Sequence, residues 1–378
     1  MILNRLRLNK LRNHSRTDIS CPDGVLLLLG ENGAGKTTLL EAISLLCTSR
    51  SFVTKQDRSL VSRDAEQFSV EGEFTMIGGA TRHVRVLFPG DQQKKQIFVD
   101  HAALETVAEI IGSFPLVALT PMHRPITAGG PSERRSFIDF VISQVHSSYL
   151  MDLIHYRRSL RQRNTLLAEY DGRLSSTLSV LDVWDVSLAE CAVRILKRRF
   201  RFISDFIPFF REALAGIVGE AEQVDAAYTG SMDCDPFAEN AVESYVERLR
   251  GKLAGDIKRG TTSIGPHRDD ISIRINGLDV RTQASQGQHK SVLIALKLAE
   301  YGYLDEHLDE RPLLLLDDVF GELDNGRLEK VLQLLGAFGQ TFITSATESA
   351  LEYVPNARVD CTTLRIEAGD VFQPVGAA

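Results

Sequence analysis

Along residues 1–117 the chain alternates apolar and polar side chains in short runs broken by turn residues. "ILNRLRL", "VLLLLG", "FSVEGEF", "HVRVLF" and "QIFVD" each predict a strand, and "PDG", "IGG" and "PGD" predict the turns between them. One helical pattern, Thr37–Leu46, interrupts the strands, and "FPLVALTP" predicts one more buried strand. After "TAGGPSERR" the period changes. Ser136–Tyr170 and Leu181–Leu214 carry apolar residues every three to four positions, which predicts long helices, most simply an antiparallel pair. A looser acidic stretch follows, with a helix expected over Glu239–Leu253. Strand character returns in "TSIGPH" and in "ISIRINGLDV", where Asn276-Gly277 signals a hairpin turn. The remainder alternates again: a helix from Gln286, a strand at Leu313–Leu316, a helix from Arg327 and the strand "QTFITSA". There are no internal repeats and no low-complexity linkers.

At 378 residues the chain has room for two or three domains. The longest aliphatic runs, Val25–Leu29 and Leu313–Leu316, are far too short to span a bilayer, and no early segment has the pattern of a signal peptide. Cys21, Cys47, Cys191, Cys234 and Cys361 are scattered with no C-x-x-C pair, so no disulfide framework or zinc site is expected and the compartment is expected to be cytoplasmic. The net charge of −7 argues against a nucleic-acid partner, but the average hides a split. Residues 151–211 hold 11 Lys/Arg against 7 Asp/Glu, whereas residues 212–256 hold 3 against 10. A basic face therefore stays open.

Three stretches carry chemistry. "LLLLGENGAGKTTLLEAI" matches G-x-x-x-x-G-K-[ST] at Gly30, Gly35, Lys36 and Thr37, after an aliphatic strand and before an amphipathic helix, the context that confirms a phosphate loop. Gly30, Gly33 and Gly35 free the backbone to curl around phosphate oxygens, so the loop Gly30, Glu31, Asn32, Gly33, Ala34, Gly35, Lys36, Thr37 and Thr38 is the candidate cradle for ATP. Lys36 would reach the β- and γ-phosphates, and the Thr37 hydroxyl would bind Mg²⁺. "PLLLLDDVFGELD" supplies acids at the carboxyl end of a buried strand. Asp317 would hold Mg²⁺ and Asp318 would polarise the attacking water. The third stretch is "ASQGQHKSVLIALKLAE". Ser285 and Gly287 open a helix, which makes either an ordinary N-cap or an anion site.

The order of these three stretches resembles ABC-type ATPases, in which the serine helix covers the γ-phosphate held by a second subunit. With "LRNHSRTDIS", "TSRSFVTKQDRSLVSRD", "GPSERRSFID" and "GTTSIGPHRDDI" added, the chain resembles the RecF family end to end. The resemblance implies an α/β fold: an ABC-type, SMC/Rad-like P-loop ATPase head with a strand-rich N-terminal part and an inserted helical second lobe. Neither αβ-patterned end holds a complete nucleotide site, so residues 1–118 and 262–378 are expected to form the head, with 119–261 as the inserted lobe. It further implies a weak, DNA-stimulated ATPase that dimerises on ATP and binds gapped or ssDNA–dsDNA junctions. Recombinase loading in DNA repair, replication restart and the SOS response would follow, with RecR and RecO as partners. Arg12 and Asn13 match the family's early nucleotide-contacting turn. Ser285, Gly287 and Gln288 match its γ-phosphate-sensing loop, and Asp324 its dimer-interface loop. Two departures stand out. "LTPMHRP" replaces the usual acidic pair after a proline, and no histidine follows "TFITSAT", which leaves Thr344 or Ser345 as the γ-phosphate sensor.

Other clusters have two readings each. His267, Arg268, Asp269 and Asp270 form a structural salt-bridge corner more readily than a metal site. Arg157, Arg158, Arg161 and Arg163, and Lys197, Arg198, Arg199 and Arg201, are either solvated helix faces or phosphate-contacting surfaces. Trp184 is expected in the core. Rival functions are a nucleotide-binding subunit of another ABC-type ATPase and a DNA-binding scaffold with structural ATP. The helical segment between the glycine loop and Ser285 disfavours a transporter subunit, and DNA-stimulated turnover separates an ATPase from a scaffold.

Overall fold

The computed structural model describes residues 1–90, 94–170, 175–219, 222–231, 235–318, 325–347 and 360–372. The chain divides into two compact units: residues 1–125, 209–223 and 284–378, and residues 126–208 and 224–283.

The first unit holds two sheets. One runs β2-β1-β4-β5-β6-β7 and is antiparallel: β1 Ile2–Leu11, β2 His14–Ser20, β4 Phe68–Thr75, β5 Thr81–Phe88, β6 Gln96–Val99 and β7 Ala102–Ala103. The other runs β15-β14-β3-β13-β12-β8: β3 Val25–Leu29, β8 Leu116–Leu119, β12 Leu313–Leu316, β13 Thr341–Ser345, β14 Cys361–Glu367 and β15 Asp370–Phe372. Its strands are parallel except β15. The Lys36–Thr48 helix lies between the sheets with every residue but Thr37 buried. The helix expected to be amphipathic therefore has no polar face, because it is packed on two sides. β3 and β12 read as unbroken aliphatic runs for the same reason. Leu26, Leu28, Leu313 and Leu315 join the core around this helix, and the alternate residues are buried as well, as parallel strands covered on both faces require.

The second unit contains the helices Pro131–Val145, Ser147–Ala168 and Ala241–Arg259 and most of Ser175–Val218. A small sheet, β11-β10-β9, completes it: β9 Val224–Thr229, β10 Asp270–Ile275 and β11 Leu278–Asp279. Residues 262–283, grouped with the head in the sequence, belong here because β10 pairs with β9 along its length. The hairpin turn is as expected, with Asn276 and Gly277 at φ 50 and 80. The single helix expected over Ser136–Tyr170 is two, broken at His146 in extended conformation. "TSIGPH" is not a strand. Its backbone turns, Gly265 sits at φ +125, and side chains rather than a neighbouring strand meet the Thr262 and Gly265 N–H groups and the Pro266 carbonyl. Trp184 is half-buried, not a core residue.

Two of the arginines offered as a basic face are interior. Arg163, fully buried, donates to Asp185 at 2.6 Å, Asp256 at 3.0 Å and Thr262 at 2.8 Å. Arg199 is buried among Asp139, Tyr149, Tyr228 and the Pro266 carbonyl. Because Asp185 would stay buried without its bonded cation and Asp256 would keep only Arg259, Arg163→Ala is expected to cost about 3–5 kcal/mol in urea unfolding. A loss below about 1 kcal/mol, the size of a surface pair, would show that the arginine is dispensable.

Candidate functional site

The glycine loop joins β3 to the Lys36–Thr48 helix, so it opens at the carboxyl end of the parallel sheet. Gly35 caps the helix at φ 115, and a Cβ there would stand 2.5 Å from His14 Nε2 and 2.8 Å from Asn13 Nδ2. Only glycine fits both the angle and the space. At Gly30 a Cβ would meet the Ile366 carbonyl oxygen, so β14 backs the loop. Asn13 Nδ2 donates to the Ala34 carbonyl at 3.0 Å, and the Gly369 N–H donates to the same carbonyl at 2.8 Å. His14, fully buried, bonds the Gly35 carbonyl through Nε2 at 3.1 Å and Thr17 Oγ1 through Nδ1 at 2.8 Å. Burial lowers its pKa, and the Gly35 carbonyl, which can only accept, takes a proton from Nε2. Sequence reasoning passed over His14, although it adjoins Asn13 in the early turn.

Lys36 is buried and folds back along the loop. Its Nζ donates to the carbonyls of Gly30 at 2.7 Å and Glu31 at 2.8 Å. Burial lowers its pKa, opposed by the charges of Asp318 and Asp317. The ammonium thus stands where loop carbonyls meet the two acids. Thr37, at the foot of the loop, donates from Oγ1 to Asp317 Oδ1 at 2.8 Å, across 280 residues of sequence. Thr344 Oγ1 donates to the same oxygen at 2.8 Å. A hydroxyl and a carboxylate are hard oxygen donors, and together they fit Mg²⁺, which binds one or two carboxylates along with substrate phosphates. Among the described residues no group of three or more His, Cys, Asp or Glu could hold a metal, His267 to Asp270 included. That corner is structural. Asp270 takes a two-pronged bond from Arg134, Asp269 accepts from Tyr228, and burial pushes the His267 pKa down to about 4.

Asp318 is exposed, with its backbone left-handed at φ 53. Two clefts flank this centre. One of about 670 Å³ is bounded by Gly30, Glu31, Asn32, Thr347, Arg365 and Glu367. The other, about 200 Å³, is bounded by Thr120, Arg124, His289, Lys290 and Asp317.

Other expected residues are placed elsewhere. Arg12, partly exposed, donates from Nε and Nη2 to Glu41 of the Lys36–Thr48 helix at 2.5 and 3.0 Å. Ser285 caps the Gln286–His307 helix, its hydroxyl accepting the Gln288 N–H at 3.2 Å. Gln288 bonds Glu222 at 2.9 Å, and Arg327 donates to the Gly287 carbonyl at 3.2 Å. Among the described residues no hydrogen bond joins Ser285, Gly287 or Gln288 to the chain's own glycine loop. As the acceptor of the cap bond, the serine hydroxyl still has its proton to give. Asp324 lies outside the described residues. Of the two sensor candidates, Thr344 bonds Asp317, and Ser345 Oγ donates to the Thr347 carbonyl at 2.9 Å.

Residues 2–364 match the family model of the RecF/RecN/SMC N-terminal domain. Over 350 residues the chain is 39% identical to the DNA replication and repair protein RecF of Chloroherpeton thalassium, covering 91% of this chain and 95% of that one. The chain belongs to the RecF family. The RecF protein of Salinibacter ruber is likewise 39% identical over 363 residues, covering 94% and 88% of the two chains. A solved structure of the recombination mediator protein RecF-ATP in the RecFOR pathway superposes with a TM-score of 0.90 at 33% identity, covering 99% of this chain and 97% of that one. The Smc head domain of Pyrococcus furiosus superposes with a TM-score of 0.56 at 13% identity, covering 98% and 94%, and shares the fold. The α/β architecture is therefore that of the RecF and SMC heads. Among the described residues no helix is long and apolar enough to cross a membrane.

Gly33, at φ 83, has open space where its Cβ would go, whereas Gly35 does not. Gly35→Ala is therefore expected to weaken nucleotide binding by about ten-fold or more, and Gly33→Ala by less. Equal losses in a fluorescent-nucleotide titration would remove the packing argument.

Proposed function

We propose that this chain is an ATP-dependent DNA clamp that acts in DNA repair and recombination. The observation that carries the reading is the bond between Thr37 and Asp317, which brings the foot of a phosphate loop to an acidic strand in a chain similar to RecF-ATP. With ATP bound, Gly30 to Thr38 cradle the phosphates and Lys36 swings from the loop carbonyls to the β- and γ-oxygens. Thr37 and Asp317 would hold Mg²⁺, which would neutralise phosphate charge. Asp318 orients the attacking water, and hydrolysis serves as a switch that leaves DNA chemically unchanged. Ser285, Gly287 and Gln288 act on the partner subunit's nucleotide, a reading supported by their having, among the described residues, no hydrogen bond to their own loop. The dimer forms on ATP, binds gapped or junction DNA, and works with RecO and RecR in replication restart and the SOS response. The RecFOR name of the similar structure supports those partners.

Lys36→Met and Ser285→Arg separate the two loops. Lys36→Met should weaken MgATP binding by about 10- to 100-fold, because it removes a charge-assisted contact, and should lose ATP-dependent dimers with it. Ser285→Arg should bind ATP normally and sediment as a monomer. Normal ATP-dependent dimers in that variant would reduce Ser285 to a helix cap.

DNA contact falls to exposed cations. Arg157, Arg158 and Arg161 are exposed on one helix, and Arg201 is exposed over the Phe237 ring at 5.6 Å. With Arg163 and Arg199 interior, replacing Arg157, Arg158 and Arg161 by Ala should weaken all DNA sequences alike. The log–log salt slope should flatten by up to about three, one per lost phosphate contact. ATP affinity should hold. An unchanged slope in salt titrations would move the DNA surface off this helix.

A further inference from the structure

Thr344 is the next-to-last residue of β13, and its side chain is buried. In the parallel ladder Leu316 pairs with Ile343, so the next residues, Asp317 and Thr344, stand side by side. The Thr344 hydroxyl donates to Asp317 Oδ1 at 2.8 Å and accepts the Asp318 backbone N–H at 2.9 Å. One hydroxyl thus grips the side chain of the first acid and the main chain of the second. It has a single proton, and Asp317 takes it. The Asp318 backbone is left-handed, a conformation non-glycine residues keep where neighbours hold it. A hydroxyl so engaged is poorly placed to report on a γ-phosphate.

We infer that Thr344 is a positioning residue for hydrolysis, not a phosphate sensor. It aims the Asp317 carboxylate at Thr37 and fixes the backbone turn that presents Asp318 to the site. The two acids then cannot reorient independently; losing the Thr344 hydroxyl falls on water orientation by Asp318, whereas Thr37 still bonds the Asp317 carboxylate. The inference rests on the ATPase reading given above.

The test compares Thr344→Val, which keeps the shape and removes both hydrogen bonds, with Thr344→Ser, which keeps the hydroxyl. Three quantities are measured on the full chain: MgATP affinity by titration, steady-state hydrolysis, and hydrogen exchange at the Asp318 amide. Thr344→Val should leave ATP affinity unchanged, lower kcat by about 10- to 100-fold and speed Asp318 exchange by about ten-fold. Thr344→Ser should restore both kcat and protection. Wild-type kcat in the Val variant, failure of serine to rescue, or a loss of ATP affinity that tracks the loss of rate would each overturn the inference. If the unaltered chain hydrolyses no ATP, the ATPase reading fails instead, while Asp318 exchange still reports whether the hydroxyl bridge exists.

Discussion

The Asp317 carboxylate takes two hydroxyl protons on one oxygen, from Thr37 and from Thr344, and the head is arranged around that point. A carboxylate only 7% exposed would be costly if left alone. Two short hydrogen bonds offset the cost and fix its direction. The strand order makes this possible. β13 lies between β3, which leads into the glycine loop, and β12, which carries the acid, so each of three neighbouring strands delivers one group to the same carboxyl edge. The Lys36–Thr48 helix, clamped between two sheets, cannot shift Thr37 without moving both cores.

The second unit obeys a different constraint. Its helices carry cations that composition alone would assign to the surface, yet Arg163 and Arg199 tie distant segments together from inside. A buried arginine bonded to two acids and a threonine contributes little net energy compared with an apolar core. What it does contribute is register, because guanidinium bonds tolerate small errors poorly. The positive balance of residues 151–211 therefore mixes two populations, buried structural cations and exposed ones. Only the exposed set, such as Arg157, Arg158 and Arg161, is available to phosphates.

Much of the head was legible because its signals are local. The glycine loop, the leucine run of β12 and the Asn276-Gly277 turn each encode a backbone demand within a few residues. What stayed hidden depends on partners far along the chain. β2, "HSRTDIS", lies at a sheet edge with polar residues on both faces, so it lacks clean alternation. β9 was lost in an acidic stretch because its strand identity comes from pairing with β10, more than forty positions on. The break at His146 has no glycine or proline to announce it. The pairing of Arg12 with Glu41 joins the early turn to a helix position 29 residues on, which no motif announces. The shared grip of Thr344 on two acids needed the β12–β13 register, which no motif spells out.

The back wall of the glycine loop has an uncommon origin. Ile366 limits the space at Gly30, Gly369 donates to Ala34, and Thr17 reaches the Gly369 carbonyl from 352 residues away. During synthesis the loop leaves the ribosome long before the strand that shapes it. The early segment must therefore wait, with its strand β3 unpaired on the β14 side, until the late residues arrive. Completion of the loop becomes a timing mark. A nascent chain that has not yet reached β14 lacks this wall.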